Sequence, residues 1–176
     1  MAGVVPDWFF DGVTLVENLT STSLTAIEDD QLEETVVFSM IRIDRATYDG
    51  TASSLKSFSQ PWKQIVAVWQ LWGEIANGGV HQYFYNSEGV DAELARDGLL
   101  AMKCDELAGL FDDAMKVWES ERDMIQLLKQ RNAWADFKGS ERASELERFT
   151  ESFYAREAEL KHALVRYIRS LAARSA

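Results

Sequence analysis

Ser59-Gln-Pro-Trp-Lys-Gln-Ile-Val-Ala-Val-Trp-Gln-Leu-Trp-Gly-Glu-Ile-Ala-Asn-Gly-Gly79 is the stretch on which the fold turns. Pro61 falls in the first turn of a helix starting near Ser59, where a missing N–H costs nothing. Trp62, Ile65, Val66, Trp69, Trp72 and Ala76 then recur at helical spacing and make one apolar stripe. Asn77-Gly78-Gly79 breaks the helix, and one of the glycines is expected to supply a positive φ. The simplest reading of the break is a tight reversal between packed helices.

Outward from this stretch the same period continues. A short aromatic helix is expected at 80–85, a turn at 86–89, and further helices at 91–102 and from Cys104–Asp105 to Lys129, the last with or without an interruption. On the N-terminal side a helix is expected over 26–48. Ser23 or Thr25 would cap it, Leu32, Val36, Ser39, Met40 and Ile43 would face inward, and Asp49-Gly50 would stop it. Lys138-Gly139-Ser140 reads as a loop with Ser140 as an N-cap. One long C-terminal helix follows from Glu141 to about Ala172, striped by Leu146, Phe149, Phe153, Leu160, Leu164, Ile168 and Leu171. No segment alternates with period two over six or more residues. The expectation is an all-α, single-domain multi-helix bundle with a long C-terminal helix. Residues 1–25 form a loop or short extended segment packed by Trp8, Phe9 and Phe10, and residues 26–176 the helical domain.

Composition agrees with one folded domain. Apolar residues make up 47% of the 176 and aromatics 11%, too many for a disordered chain. The single cysteine, Cys104, excludes an internal disulfide, and its neighbours Asp105 and Glu106 disfavour a thiolate, so a structural thiol is expected. The first ten residues lack the basic and apolar regions of a signal peptide, and no run reaches the roughly 18 apolar residues of a membrane span. A cytoplasmic protein is expected. With 29 acids against 18 bases the formal net charge is -11. That charge repels nucleic acid and anionic membrane and favours cationic partners.

Enzyme chemistry finds little foothold. His81 and His162 are the only histidines, and neither stands in a nucleophile motif. Glu159 and His162 form one Glu-x-x-His pair, whereas a di-metal bundle needs two and further carboxylates. No catalytic residue, metal or cofactor is therefore expected. The Asn77-Gly78-Gly79 turn precedes a helix whose N–H groups attract anions, but it lacks the Lys and Ser/Thr of a phosphate loop.

The acids are unevenly spread. Residues 1–41 hold eight acids and no Lys or Arg, and Glu28, Asp29, Asp30, Glu33 and Glu34 fall within seven positions. Residues 88–113 hold another eight against Arg96 and Lys103, among them Asp105, Glu106, Asp112 and Asp113. First-turn acids complement a helix dipole, which explains Asp29, Asp30, Asp105 and Glu106 without a partner. It leaves Asp112 and Asp113 unexplained. These nine residues are the candidate partner-binding set, because rows of carboxylates on rigid helices, about 5–6 Å apart at neighbouring positions, present a phosphate-like field. The C-terminal helix differs, since its acids alternate with Arg142, Arg148, Arg156, Lys161, Arg166 and Arg169.

Residues 72–89 carry Glu74, Asn77, Gly78, Gly79, Gln82, Phe84, Asn86 and Gly89 in a Glu-x-x-Asn-Gly-Gly-x-x-Gln-x-Phe-x-Asn-x-x-Gly pattern. This resembles the bacterial DNA-mimic family of the neisserial type, with similarity extending over about residues 60–170. The resemblance implies an all-helical domain, often dimeric, without a cofactor, acting on the DNA-binding face of a regulator. On the residues themselves the motif reads as scaffold. Asn77 and the glycines reverse the chain, Gln82 and Asn86 bond nearby backbone, and Tyr83, Phe84 and Tyr85 fill space between helices.

Two functions follow. The first is an acidic module that binds a basic protein surface, such as the DNA-binding face of a regulator, without touching nucleic acid itself. The alternative is a small-molecule-binding protein or enzyme that uses the Asn-Gly-Gly turn, with a pocket lined by Glu74, Asn77, His81 and Gln82.

Overall fold

The computed structural model describes residues 5–129 and 134–174, so the outer ends of the 1–25 and 26–176 segments lie outside the described residues. Among the described residues the chain forms α1 (Ser21–Thr25), α2 (Asp29–Ile43), α3 (Gln60–Ser87), α4 (Ala92–Ala101), α5 (Asp105–Lys129), α6 (Trp134–Ala143), α7 (Thr150–Tyr154) and α8 (Glu157–Arg174), with 3-10 turns at Asp7–Phe10, Ala52–Ser54 and Leu146–Phe149, and no strand. The fold is all-α, and α8 is the long C-terminal helix. No helix among these residues is long and apolar enough to cross a membrane.

Helix α3 is the axis of the bundle. It touches α2, α4, α5, α7 and α8, because its apolar residues cover more than one face. Trp62, Ile65, Val66, Val68, Leu71 and Ile75 are buried, Trp69 and Trp72 are half-buried, and Ala76, placed on the stripe by spacing, is exposed. Burying each such large side chain contributes roughly 1.5–3 kcal/mol before conformational entropy is subtracted. The tightest seam is with α4. A Cβ on Gly98 would lie 2.7 Å from Val68 Cγ2 and 3.0 Å from the Gln64 carbonyl, so only glycine lets the two helices approach this closely. At the other end Phe84 stacks on Phe111 and Trp118 of α5, at centroid separations of 5.8 and 5.2 Å.

Several helix ends differ from the sequence reading. The segment before residue 26 contains a 3-10 turn and α1, capped by a reciprocal pair between Thr20 and Ser23, so Ser23 serves α1 rather than the next helix. Phe9 stacks on Phe38 at 5.1 Å and Phe10 is buried, while Trp8 stays 70% exposed. Helix α2 starts three residues later than expected and ends at Ile43. Asp44 stops it there: its buried carboxylate accepts from the Ser57 N–H (2.8 Å) and the Ser57 hydroxyl, so the chain turns before Asp49-Gly50. Ile43 is consequently exposed. Lys138-Gly139-Ser140 lies inside α6, not in a loop. Ser140 is fully buried, and its hydroxyl donates to the Phe137 carbonyl at 2.8 Å instead of capping a helix. The expected helix 141–172 is broken up: its first residues end α6, and a 3-10 turn, α7 and α8 follow. Its whole stripe from Leu146 to Leu171 is nevertheless buried.

Candidate functional site

The Asn-Gly-Gly segment bends α3 instead of ending it. Gly78 is extended (φ -170°, ψ 28°) and Gly79 has φ 83°, so the arms 60–77 and 80–87 meet at a kink. A kink frees backbone groups that a straight helix would pair, and buried groups of this kind need partners. Three come from α7 and the 3-10 turn before it. The Tyr154 hydroxyl donates to the Ile75 carbonyl at 2.9 Å. The Val80 N–H donates to Thr150 Oγ1 at 3.0 Å, and the His81 N–H to Glu147 Oε1 at 3.2 Å. Thr150 in turn donates to Glu147 Oε2 at 3.0 Å. The anion-attracting end of the second arm is thus occupied by the protein's own carboxylate, 66 residues away along the chain. Asn77 is exposed beside it.

Glu74 spans the kink from the other side. Gln82 Nε2 and Asn86 Nδ2 both donate to its Oε2, at 2.9 and 2.7 Å. The expectation that Gln82 and Asn86 bond backbone is corrected: they bond a carboxylate on the preceding arm. A Cβ on Gly78 would meet Gln82 Oε1 at 2.0 Å, and one on Gly79 would meet both Glu147 carboxylate oxygens at 2.6 Å. Gly89 closes the motif with φ 73° beneath Trp118. Glu74, Gly78, Gly79, Gln82 and Asn86 therefore meet at one bend, while Phe84 and Gly89 pack against Trp118 at the far end of the second arm.

The pocket expected from Glu74, Asn77, His81 and Gln82 does not form as a group. His81 is fully buried and turned to other partners, with Nε2 3.1 Å from the Ser140 hydroxyl and its ring against Phe137 and Tyr85. Burial holds its imidazole below the ordinary value, against the pull of Glu141 and Glu121. Glu74 lines a different cleft, of about 310 Å³, together with Asp49, Gln70, Tyr83, Asn86 and Asp91. Asp91 is buried there and accepts from the Ala52 N–H at 2.5 Å, which ties the Ala52–Ser54 turn to the start of α4.

The nine candidate carboxylates divide. Glu28 is the N-cap residue of α2, though its side chain makes no capping bond, and Asp29 and Asp30 occupy the first turn. Glu28, Asp30 and Glu34 are exposed and have no ion pair among the described residues. Asp29 bonds Arg169 at 2.7 Å. Glu33 is half-buried, so desolvation pushes its carboxyl up while Lys161 pulls it down. On α5, Asp105 is exposed without an ion pair among the described residues, Glu106 pairs with Arg156, Asp112 lies 3.9 Å from Arg96, and Asp113 bonds Lys116 at 2.7 Å. Glu106, Asp112 and Asp113 do come together, lining an open groove of about 780 Å³ between α5 and α7, but Lys116 and Arg156 share it. Arg169 and Lys161 of α8 reach α2, and Arg156, the residue just before α8, reaches the start of α5, so each acidic cluster has basic side chains beside it.

Cys104 is buried, and burial raises its thiol, with Glu159 adding to the effect. Glu147, Thr150 and Tyr154 were missed by the sequence reading, as was the place of Asp91 and Tyr83 in the cleft. Their partners lie many tens of residues away, and no local spacing marks them.

Fold and site together define an all-helical protein built on one kinked central helix, with acidic surfaces at the start of α2 and along α5. The chain belongs to the DMP19-like protein family, whose description matches residues 56–171. The family name refers to DNA mimic protein 19, consistent with a DNA-mimic family. No curated protein and no solved structure matches the chain significantly.

Proposed function

We propose that this protein is an acidic binding module that occupies the basic face of a DNA-binding regulator as a mimic of DNA. The observation that carries the reading is the exposed, unpaired trio Glu28, Asp30 and Glu34 on a helix that belongs to a bundle of DNA-mimic type. A mimic needs carboxylates that face solvent and keep their positions. These three meet that need, because α2 is anchored by a fully buried face of Leu32, Val36, Val37 and Met40. Asp105 adds a fourth free carboxylate at the start of α5.

The paired acids play a lesser part. A carboxylate already bonded to Arg or Lys offers a partner little net field. The docking surface is therefore the start of α2, and the α5 groove contributes dipoles more than charge. At the turn the Val80 and His81 N–H groups are taken by Thr150 and Glu147, which speaks against the small-molecule alternative there.

The test is affinity capture from a lysate of the source cells, with wild type and the triple variant Glu28→Gln, Asp30→Asn, Glu34→Gln, at increasing salt. Recovery of a DNA-binding protein at low salt, lost in the triple variant and released by competing duplex DNA, is the expected result. A partner that ignores both salt and the substitutions rejects the electrostatic reading. Asp29 is left intact, because it holds α8.

A further inference from the structure

The cleft lined by Glu74, Asp49 and Asp91 plays no part in the docking surface at the start of α2. It is acidic on three sides: Asp49 comes from the loop before the Ala52–Ser54 turn, Glu74 from the first arm of α3 and Asp91 from the start of α4. No Lys, Arg or His is among its lining residues. Hydrogen bonds hold each carboxylate in place. Thr51 donates twice to Asp49 Oδ1, at 3.0 Å from N–H and 2.6 Å from hydroxyl, Gln82 and Asn86 fix Glu74, and the Ala52 N–H fixes Asp91. Fixed carboxylates in a concave, partly desolvated cleft concentrate negative potential.

A second observation is independent of the acids. Tyr83 lines the same cleft and is 2% exposed, yet its hydroxyl has no hydrogen-bond partner among the described residues. Ser87 lies close, but its hydroxyl donates to the Tyr83 carbonyl at 2.7 Å and accepts from the Gly89 N–H at 3.1 Å, and it does not stand in hydrogen-bond geometry with the phenol. A buried phenol without a partner costs free energy that an apolar Phe would not, so its presence at the floor of a polar cleft points to a ligand that it bonds.

The spacing narrows the ligand. Among the described residues no three His, Cys, Asp or Glu side chains come together as a metal-binding group. A volume of about 310 Å³ instead suits a small organic molecule. We propose that this cleft binds an organic cation through an ammonium or guanidinium group, with Glu74, Asp91 and Asp49 supplying the charge and Tyr83 Oη a hydrogen bond. The groups that fix the carboxylates also keep them apart, so a ligand with several N–H donors can reach more than one.

Isothermal titration calorimetry on the full chain at low ionic strength tests this, with 1,4-diaminobutane in one arm and N-methylguanidine in the other. Saturable one-to-one binding of either probe is expected, and the arm that saturates separates an ammonium from a guanidinium ligand. Tyr83→Phe should weaken binding about three- to tenfold without lowering the melting temperature, since it removes only an unpartnered hydroxyl. Asp49→Asn, on an exposed loop, should weaken it about tenfold and provides a second variant if Tyr83→Phe folds poorly. Three results each overturn the proposal: no saturation in either arm, unchanged affinity in both variants, or displacement of the probe by equimolar magnesium ion. Glu28, Asp30 and Glu34 are untouched throughout, so failure here leaves the docking reading standing on its own test.

Discussion

Gly79 concentrates the logic of the kink in one residue. Its φ of 83° lies where a Cβ costs about 1–2 kcal/mol, and that Cβ would also fall 2.6 Å from the Glu147 oxygens. Gly79→Ala should therefore lower unfolding stability by about 2–4 kcal/mol, read as a shift in the urea midpoint. The positive φ was legible in the sequence, because Asn-Gly-Gly after a helical stripe marks a break. Glu147 was not, because nothing local ties it to a turn 66 residues earlier. His81 supplies a second expectation at this scale. Its folded value lies below the ordinary 6.5, because burial disfavours the imidazolium. The folded state then binds fewer protons than the unfolded chain, so the His81 contribution is complete above 6.5 and is lost as pH falls through the lower folded value. The wild-type urea midpoint should fall between pH 7 and pH 5 more steeply than that of His81→Gln. Parallel curves for the two proteins would show that the imidazole is not held neutral.

At the scale of the element, stripes were legible and boundaries were not. The C-terminal stripe from Leu146 to Leu171 keeps helical spacing across two breaks, so periodicity alone gave one helix where there are three pieces. The breaks exist because Glu147, Thr150 and Tyr154 must reach the kink of α3, a demand that spacing cannot express. Lys138-Gly139-Ser140 failed in the opposite sense. Its residues favour turns, yet tertiary contact of Ser140 with His81 and the Phe137 carbonyl keeps the helix intact. Long-range anchoring also decides how α8 is held. Arg169 donates to the Leu24 and Ile27 carbonyls and to Asp29, binding the junction of α1 and α2 to α8. Arg169→Ala should cost about 2 kcal/mol, since it leaves two carbonyls and a carboxylate without their donor. Asp29→Asn, which removes only the exposed arm of that clamp, should cost under about 1 kcal/mol. Equal losses in thermal or urea unfolding would mean that the ion pair, not the backbone bonds, holds the helix.

Across the whole molecule, a net charge of -11 states that the surface is acidic and says nothing of where the charge is free. Both acidic clusters were legible in the sequence, but only the folded arrangement separates exposed unpaired carboxylates on α2 from those on α5 that Arg96, Lys116 and Arg156 already hold. That division leads to a kinetic expectation. Long-range attraction between an acidic face and a basic partner acts mainly on the association rate, while contact geometry sets dissociation. With the partner recovered by affinity capture, the Glu28→Gln, Asp30→Asn, Glu34→Gln variant should associate about tenfold more slowly at 0.01 M salt, where the screening length is about 30 Å. The matching variant Glu106→Gln, Asp112→Asn, Asp113→Asn should change the rate by less than about threefold, because its carboxylates are largely neutralised in place. At 1 M salt, with screening within about 3 Å, all three proteins should associate at similar rates. Equal slowing by the two triple variants at low salt would mean that total charge, and not the free face of α2, steers the encounter.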